Sequence, residues 1–354
     1  MEKKTKQVKY KYIFLYYTKM YKNQPYYVKT NNCSNQKRVT TMIYYLFPRS
    51  SIQINLHCKL SYTSSVQTKC YSNSLAKYLK QLNDHAEQHP KWNEILYYKH
   101  PYRSLFNNHT TIFYEILEVY HLMNLALDTV KQDSIHFHND TVHAMQYIRK
   151  KNINDKYVII QQPSTTEDFV SYSKLQFDTA FCQVNSDDEY KNNIDLILQL
   201  CLVFCTMKHK GTCIVKLGDT FSKLSLDVLA LLSHFFEKTF ILKPTVCPIT
   251  SSEKYVVCKS FIYNNIGEKM YNTFLNMYNS LLQCPDDKKI YRILQMNIPI
   301  FIWGKLEEVN SILGQPRLEQ LQSLLVSMED PLVDYTIATS SDIQKCKEWR
   351  ENTM

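Results

Sequence analysis

Glycine is nearly absent. The chain of 354 residues has five, Gly211, Gly218, Gly267, Gly304 and Gly314, so the first 210 residues have none. A dinucleotide fingerprint, a Walker-type phosphate loop and a GxSxG elbow all need glycine where the backbone turns tightly or meets a ligand. None of these fits in that stretch. Long apolar runs are missing too: nothing reaches the ~18 residues of a membrane span. The run Tyr12–Tyr17 is short, flanked by lysines and without a small-residue cleavage site, so it does not read as a signal peptide. The expectation is an intracellular protein, nuclear or cytoplasmic, neither secreted nor membrane-bound.

The eleven cysteines include no CxxC pair, and their number is odd. That fits buried thiols better than a disulfide framework or a zinc ribbon. Cys201, Cys205 and His209 stand at i, i+4, i+8 and would share one helix face; core packing is the plainer reading of them. His136, His138 and His143 are also close in sequence, and polar burial is again plainer than a metal site. No metal is expected.

Acid is missing from one region. Residues 1–83 carry 15 Lys/Arg and a single acid, Glu2, whereas the rest of the chain carries 27 Lys/Arg against 32 acids. A basic, tyrosine-rich segment attracts a polyanion such as RNA and offers rings for bases to stack on. A general bias toward Lys, Asn, Tyr and Ile along the chain is the competing explanation.

What is present has a rhythm. The stretch 111–127 places Ile112, Ile116, Val119 and Met123 on one helical stripe. Apolar strands at 134–138, 156–161, 177–184, 212–217, 239–244 and 254–261 alternate with helices at 141–151, 192–210 and 224–238, Gly211 reading as a helix stop. Such alternation predicts an α/β sandwich on a mostly parallel sheet. Nine residues between the last two strands are too few for a parallel crossover, so the sheet ends in an antiparallel hairpin. Helices follow at 267–283, 286–296, 304–313 and 315–328. The expected divisions are a basic extension (1–75), the α/β domain (76–265), a helical extension (266–330) and a frayed tail (331–354).

The block 210–261 resembles the FtsJ-like family of RNA 2′-O-ribose methyltransferases. The resemblance is carried by Gly211, Lys216 closing a strand, Phe235-Phe236, Lys243-Pro244, Ser251-Ser252, Glu253 and Tyr255. The helices after it resemble the C-terminal part of the cap-specific mRNA 2′-O-methyltransferase 2 group, whose members join an active methyltransferase domain to a non-catalytic one. The resemblance implies a Rossmann-like methyltransferase sandwich, S-adenosylmethionine as cofactor if the chain is active, and capped mRNA or other RNA as partner, with an active methyltransferase domain as a further partner. It also implies a Lys-Asp-Lys-Glu tetrad that orients the ribose 2′-hydroxyl and relieves it of its proton.

Lys216 and Glu253 match two tetrad members. Gln183 stands where the aspartate belongs, and Thr111, Ile112 and Phe113 where the first lysine belongs. The cofactor loop is matched by 139–145, "NDTVHAM", without glycine, with His143 in the expected path of the methionine moiety. Asp140 and Asp178 are the candidate cofactor residues, Asp178 reading equally as strand-edge structure. Three readings stay open: a degenerate methyltransferase domain that binds RNA or the cap, an active enzyme working through Lys216 and Glu253, and an RNA-binding scaffold acting through the basic segment.

Overall fold

A computed structural model describes residues 44–54, 58–63, 73–90, 92, 100, 102, 110–125, 131–160, 165–184, 186, 188–285, 288–328 and 340–353. Most of the basic extension, residues 1–43, lies outside the described residues. Its later part contributes two strands, β1 (Tyr44–Phe47) and β2 (Cys58–Thr63), before helix α1 (Asn73–Glu87).

The α/β body runs α2 (Thr111–Met123), β3 (Asp133–His136), α3 (Asn139–Ile148), β4 (Lys156–Ile159), α4 (Thr166–Tyr172), β5 (Phe177–Cys182), α5 (Glu189–Thr206), β6 (Met207–Leu217), α6 (Lys223–Phe235), β7 (Phe236–Leu242) and β8 (Lys254–Phe261). The main sheet has the order β1-β7-β8-β6-β5-β3-β4. β4, β3, β5 and β6 are parallel, while β8 is antiparallel to both its neighbours. The expected closing hairpin is therefore present, with β8 inserted between β6 and β7 and β1 added to the outer edge.

The buried strands are mostly apolar, as a sheet covered on both faces requires. On one face α5, α6 and α7 (Gly267–Leu282) pack through Phe204, Phe235 and Phe274, with the first two rings stacked 4.2 Å apart. On the other face α2 and α3 meet Phe181, Ile214 and Val257. Local signals start the helices: Asp188 accepts from Tyr190 N to cap α5, and Ser222 accepts from Ser225 N to cap α6.

Four expectations change. Gly211 does not stop α5, which ends at Thr206; it lies inside β6, where an added Cβ would come within 3.0 Å of the Asp178 carbonyl. The β5–β6 register shifts at that point, so the glycine serves close strand approach. Cys201, Cys205 and His209 consequently share no helix face, since His209 is in the strand. Second, 286–296 is not a helix: β9 (Lys289–Leu294) pairs antiparallel with β2 as a separate ribbon. Asp227 fastens it, accepting from Ile293 N, Leu294 N and Arg292 Nε. Third, 304–313 and 315–328 are one helix, α8 (Ile300–Met328), which contains Pro316. Gly314 is buried beside Leu75 of α1 and serves helix packing rather than a break. Fourth, the tail forms α9 (Ser340–Thr353), and its Cys346 and Trp349 are buried against α2.

Candidate active site

The carboxyl ends of β6 and β5 and the entry to β8 meet in one place. Lys216 pairs across the sheet with Tyr255, and Glu253 immediately precedes β8. The Lys216 ammonium, with its side chain 6 % exposed, lies 2.9 Å from Glu253 Oε1 and 3.2 Å from Glu115 Oε2. Glu115 comes from α2 and is completely buried, whereas Glu253 is 40 % exposed. Tyr255 donates its hydroxyl to the same Glu115 oxygen at 2.6 Å. The other Glu115 oxygen is buried without a hydrogen-bond partner.

Burial alone would lower the Lys216 pKa, but the two carboxylates outweigh it and hold the group above an ordinary lysine. The same surroundings push the Cys247 thiol up to about 12, burial leading and both glutamates adding to it. Glu115, Cys247 and Glu253 bring their ligand atoms within 4.8 Å of one another, with the Lys216 ammonium already on two of them.

The loop 243–253 is fixed by cations. Lys243 donates to the carbonyls of Ser251 and Glu253 at 2.7 and 3.0 Å. Lys254 donates to the carbonyls of Gly218 and Ser252, and burial pushes its pKa down to about 8. Arg317 of α8 joins the loop to the end of β6, with Nε on the Thr250 carbonyl at 2.9 Å and Nη1 on Asp219 at 2.8 Å. Glu118, one helical turn from Glu115, accepts from Thr245 N, Thr245 Oγ1, Val246 N and Trp349 Nε1. So α9 is tied through Glu118 to the loop that bears Glu253. A cleft of about 460 Å³ opens over Lys216 and Glu253, between this loop and Trp92, α1 and α8.

Gln183 is buried and follows Cys182, which pairs with Val215, so it stands beside Lys216 in register. Its backbone exchanges two hydrogen bonds with the Gln199 amide. No acid occupies that position. The acid facing Lys216 is Glu115, on the helix where the resemblance placed a lysine. The apolar stripe of α2 masks it in the sequence. The available signal was a pair of acids, Glu115 and Glu118, inside an otherwise apolar helix: carboxylates are rarely fully buried unless partnered.

The second half of the site is the crevice at the carboxyl ends of β3 and β4, where open α/β sheets bind ligands. Here the turn into α3 closes on itself. His138 caps the helix by accepting from Asp140 N, and Thr141 donates to the His138 carbonyl at 2.7 Å. His136 Nδ1 lies 2.8 Å from the Thr141 hydroxyl, whose proton is thus committed, so Nδ1 carries the hydrogen and Nε2 accepts from Ser134. The ring stacks on Phe181 at 4.6 Å, and burial lowers its pKa to about 3.

His136, His138 and His143 do not converge. His143 is exposed. Asp140 lies in the first turn of α3, beside His138. Asp178 is at the opposite, amino end of the strands, where it accepts from Asp133 N and pairs with Lys208 at 3.0 Å; it is a strand-edge residue and not a crevice residue.

Four parallel strands closed by an inserted antiparallel one, with helices on both faces, define a Rossmann-like methyltransferase fold. Residues 125–261 match the FtsJ-like methyltransferase family model. The chain is 28 % identical over 102 residues to cap-specific mRNA (nucleoside-2′-O-)-methyltransferase 1 of Dictyostelium discoideum, covering 29 % of this chain and 13 % of that one. To the cap-specific mRNA (nucleoside-2′-O-)-methyltransferase of Autographa californica nuclear polyhedrosis virus it is 25 % identical over 113 residues, 32 % of this chain and 40 % of the relative. These matches span less than half the length of either relative. Human methyltransferase-like protein 13, solved with SAH, overlays at a TM-score of 0.28 with 11 % identity, covering 48 % of this chain and 91 % of the other. The fold assignment rests on strand order and not on that overlay. Among the described residues no helix is long and apolar enough to cross a membrane.

The crevice residues do not fit the family's cofactor. No glycine allows close backbone approach there. The sequence leaving β4, Ile160-Gln161-Gln162, holds no acid for a ribose. The first turn of α3 has spent the Asp140 N–H on a side-chain cap.

Proposed function

We propose that this chain is a catalytically degenerate 2′-O-methyltransferase-fold domain of the cap-methyltransferase group, which holds RNA in the cleft over Lys216 and Glu253 without transferring a methyl group. The observation that carries this reading is the position of Lys216 between two carboxylates. A lysine that takes a hydroxyl proton must be neutral part of the time, which requires a lowered pKa; Glu115 and Glu253 do the reverse. Its remaining capacity is that of a fixed ammonium donor. Glu253, half exposed to the cleft, complements it as an acceptor. This pair suits a ribose hydroxyl as a bound group better than as a nucleophile. In the proposal the domain supports an active methyltransferase domain by retaining RNA beside it.

The alternative, an active enzyme, draws on one observation: Lys216 and Glu253 both line the cleft. Incubation with radiolabelled S-adenosylmethionine and capped RNA separates the two, provided RNA retention and methyl incorporation are measured on the same samples. Retention without incorporation is expected. Incorporation that Lys216→Ala abolishes would establish the active enzyme, and absence of retention would remove RNA from the account.

A further inference from the structure

The ribbon of β2 and β9 is unexplained by the methyltransferase domain, because it lies outside residues 125–261. Its strands come from distant parts of the chain. β2 belongs to the segment that is free of acid from Lys3 to Asn83, and β9 follows α7. The ribbon exposes rings and amines together. Tyr62 is 43 % exposed and Tyr291 37 %, and Lys59 and Lys288 are exposed. Lys289 holds its ammonium over the Tyr190 ring at 5.1 Å. Tyr190 also accepts from Ile290 N at 3.1 Å, so the ribbon is fastened to the first turn of α5.

That turn has a second side. Asn192 and Ser186, which are bonded to each other, line the cleft. Residues two apart on a helix point to roughly opposite sides. The first turn of α5 therefore separates the cleft from the ribbon, and a strand leaving the cleft over it meets Tyr190 and Lys289 at the start of β9. The nearby acid Asp188 is committed to capping α5. Asp286 and Asp287 precede Lys288 in the sequence, so charge alone makes the ribbon only moderately attractive to a polyanion. Exposed tyrosines beside amines suit a partner that has both a negative backbone and flat faces.

We infer that the β2–β9 ribbon is a docking surface for single-stranded RNA, continuing the path of the strand held in the cleft. The inference rests on the RNA-binding reading above and adds a surface that the methyltransferase domain does not supply. Stacking carries more of the binding than charge does.

Fluorescence anisotropy with a labelled single-stranded RNA tests it on the full chain. Tyr62→Ala with Tyr291→Ala should weaken binding about tenfold or more. Lys288→Ala with Lys289→Ala should weaken it less and should reduce the slope of log affinity against log salt by about 1.4. Both pairs are on the surface, and unchanged melting temperatures will confirm that the variants fold. Wild-type binding that neither pair alters would overturn the ribbon while leaving RNA binding in the cleft intact. No wild-type binding at all would remove both. Displacement of the RNA by poly-glutamate as readily as by unlabelled RNA would also overturn the inference, because it would mark the ribbon as a surface for acidic protein.

Discussion

The two ends of the candidate site are built in different ways. At the carboxyl end of β6 Lys216 and Glu253 are in contact, and a buried carboxylate, Glu115, lies against the same lysine. At the carboxyl end of β3 a self-capped turn, His138-Asp140-Thr141, stands over a buried neutral His136. The first end sets a cation between two carboxylates. The second spends its polar groups on contacts within the turn. A matching motif therefore says little about activity until the groups facing it are known.

Removing the shared cation should give the largest effect. Lys216→Met leaves Glu115 buried and unpaired opposite Glu253. The cost expected in a denaturant titration is about 3–5 kcal/mol. Glu253→Gln, at the half-exposed position, should cost no more than about 1 kcal/mol. If the two variants prove equal, the unequal burial of the partners is not what governs the cluster.

The link from α9 comes next. Glu118→Gln weakens four hydrogen bonds, and Trp349→Phe removes one of them. Losses of roughly 1–3 kcal/mol and about 1 kcal/mol are expected in turn. Additive losses in the double variant would show that α9 does not act on the 243–253 loop through Glu118.

The crevice end should give an effect that is small near neutral pH and grows as pH falls. His136 titrates near 3 in the folded chain and near 6.5 when unfolded. Between those values the unfolded chain binds the extra proton, so stability falls as pH falls from about 6.5 toward 3. His136→Gln should flatten that limb by up to one proton, about 1.4 kcal/mol per pH unit. Urea melts at several pH values would measure the slope, and an unchanged slope would place the titration elsewhere. His138→Ala should cost about 1 kcal/mol through loss of the α3 cap.

The regular part of the fold was legible in the sequence because buried parallel strands and amphipathic helices leave strong periodic patterns. β8 was read at its observed bounds, and its hairpin with β7 followed from loop length alone. Glycine and proline were less readable: Gly211 and Gly314 act through close packing with Asp178 and Leu75, which are distant in sequence. β9 was taken for helix because its strand partner lies more than 200 residues away in β2. Within the site, Lys216 and Glu253 could be named because they sit at strand ends in a recognisable order. Glu115 could not, because its role exists only once α2 packs over the end of β6.

The most direct test of the central claim is a calorimetric titration of the full chain with S-adenosylmethionine, repeated by thermal shift. The account predicts no saturable heat and no rise in melting temperature up to millimolar cofactor. Saturable micromolar binding would contradict it, showing that the turn His138–Thr141 opens to take the cofactor and that Lys216 works beside it.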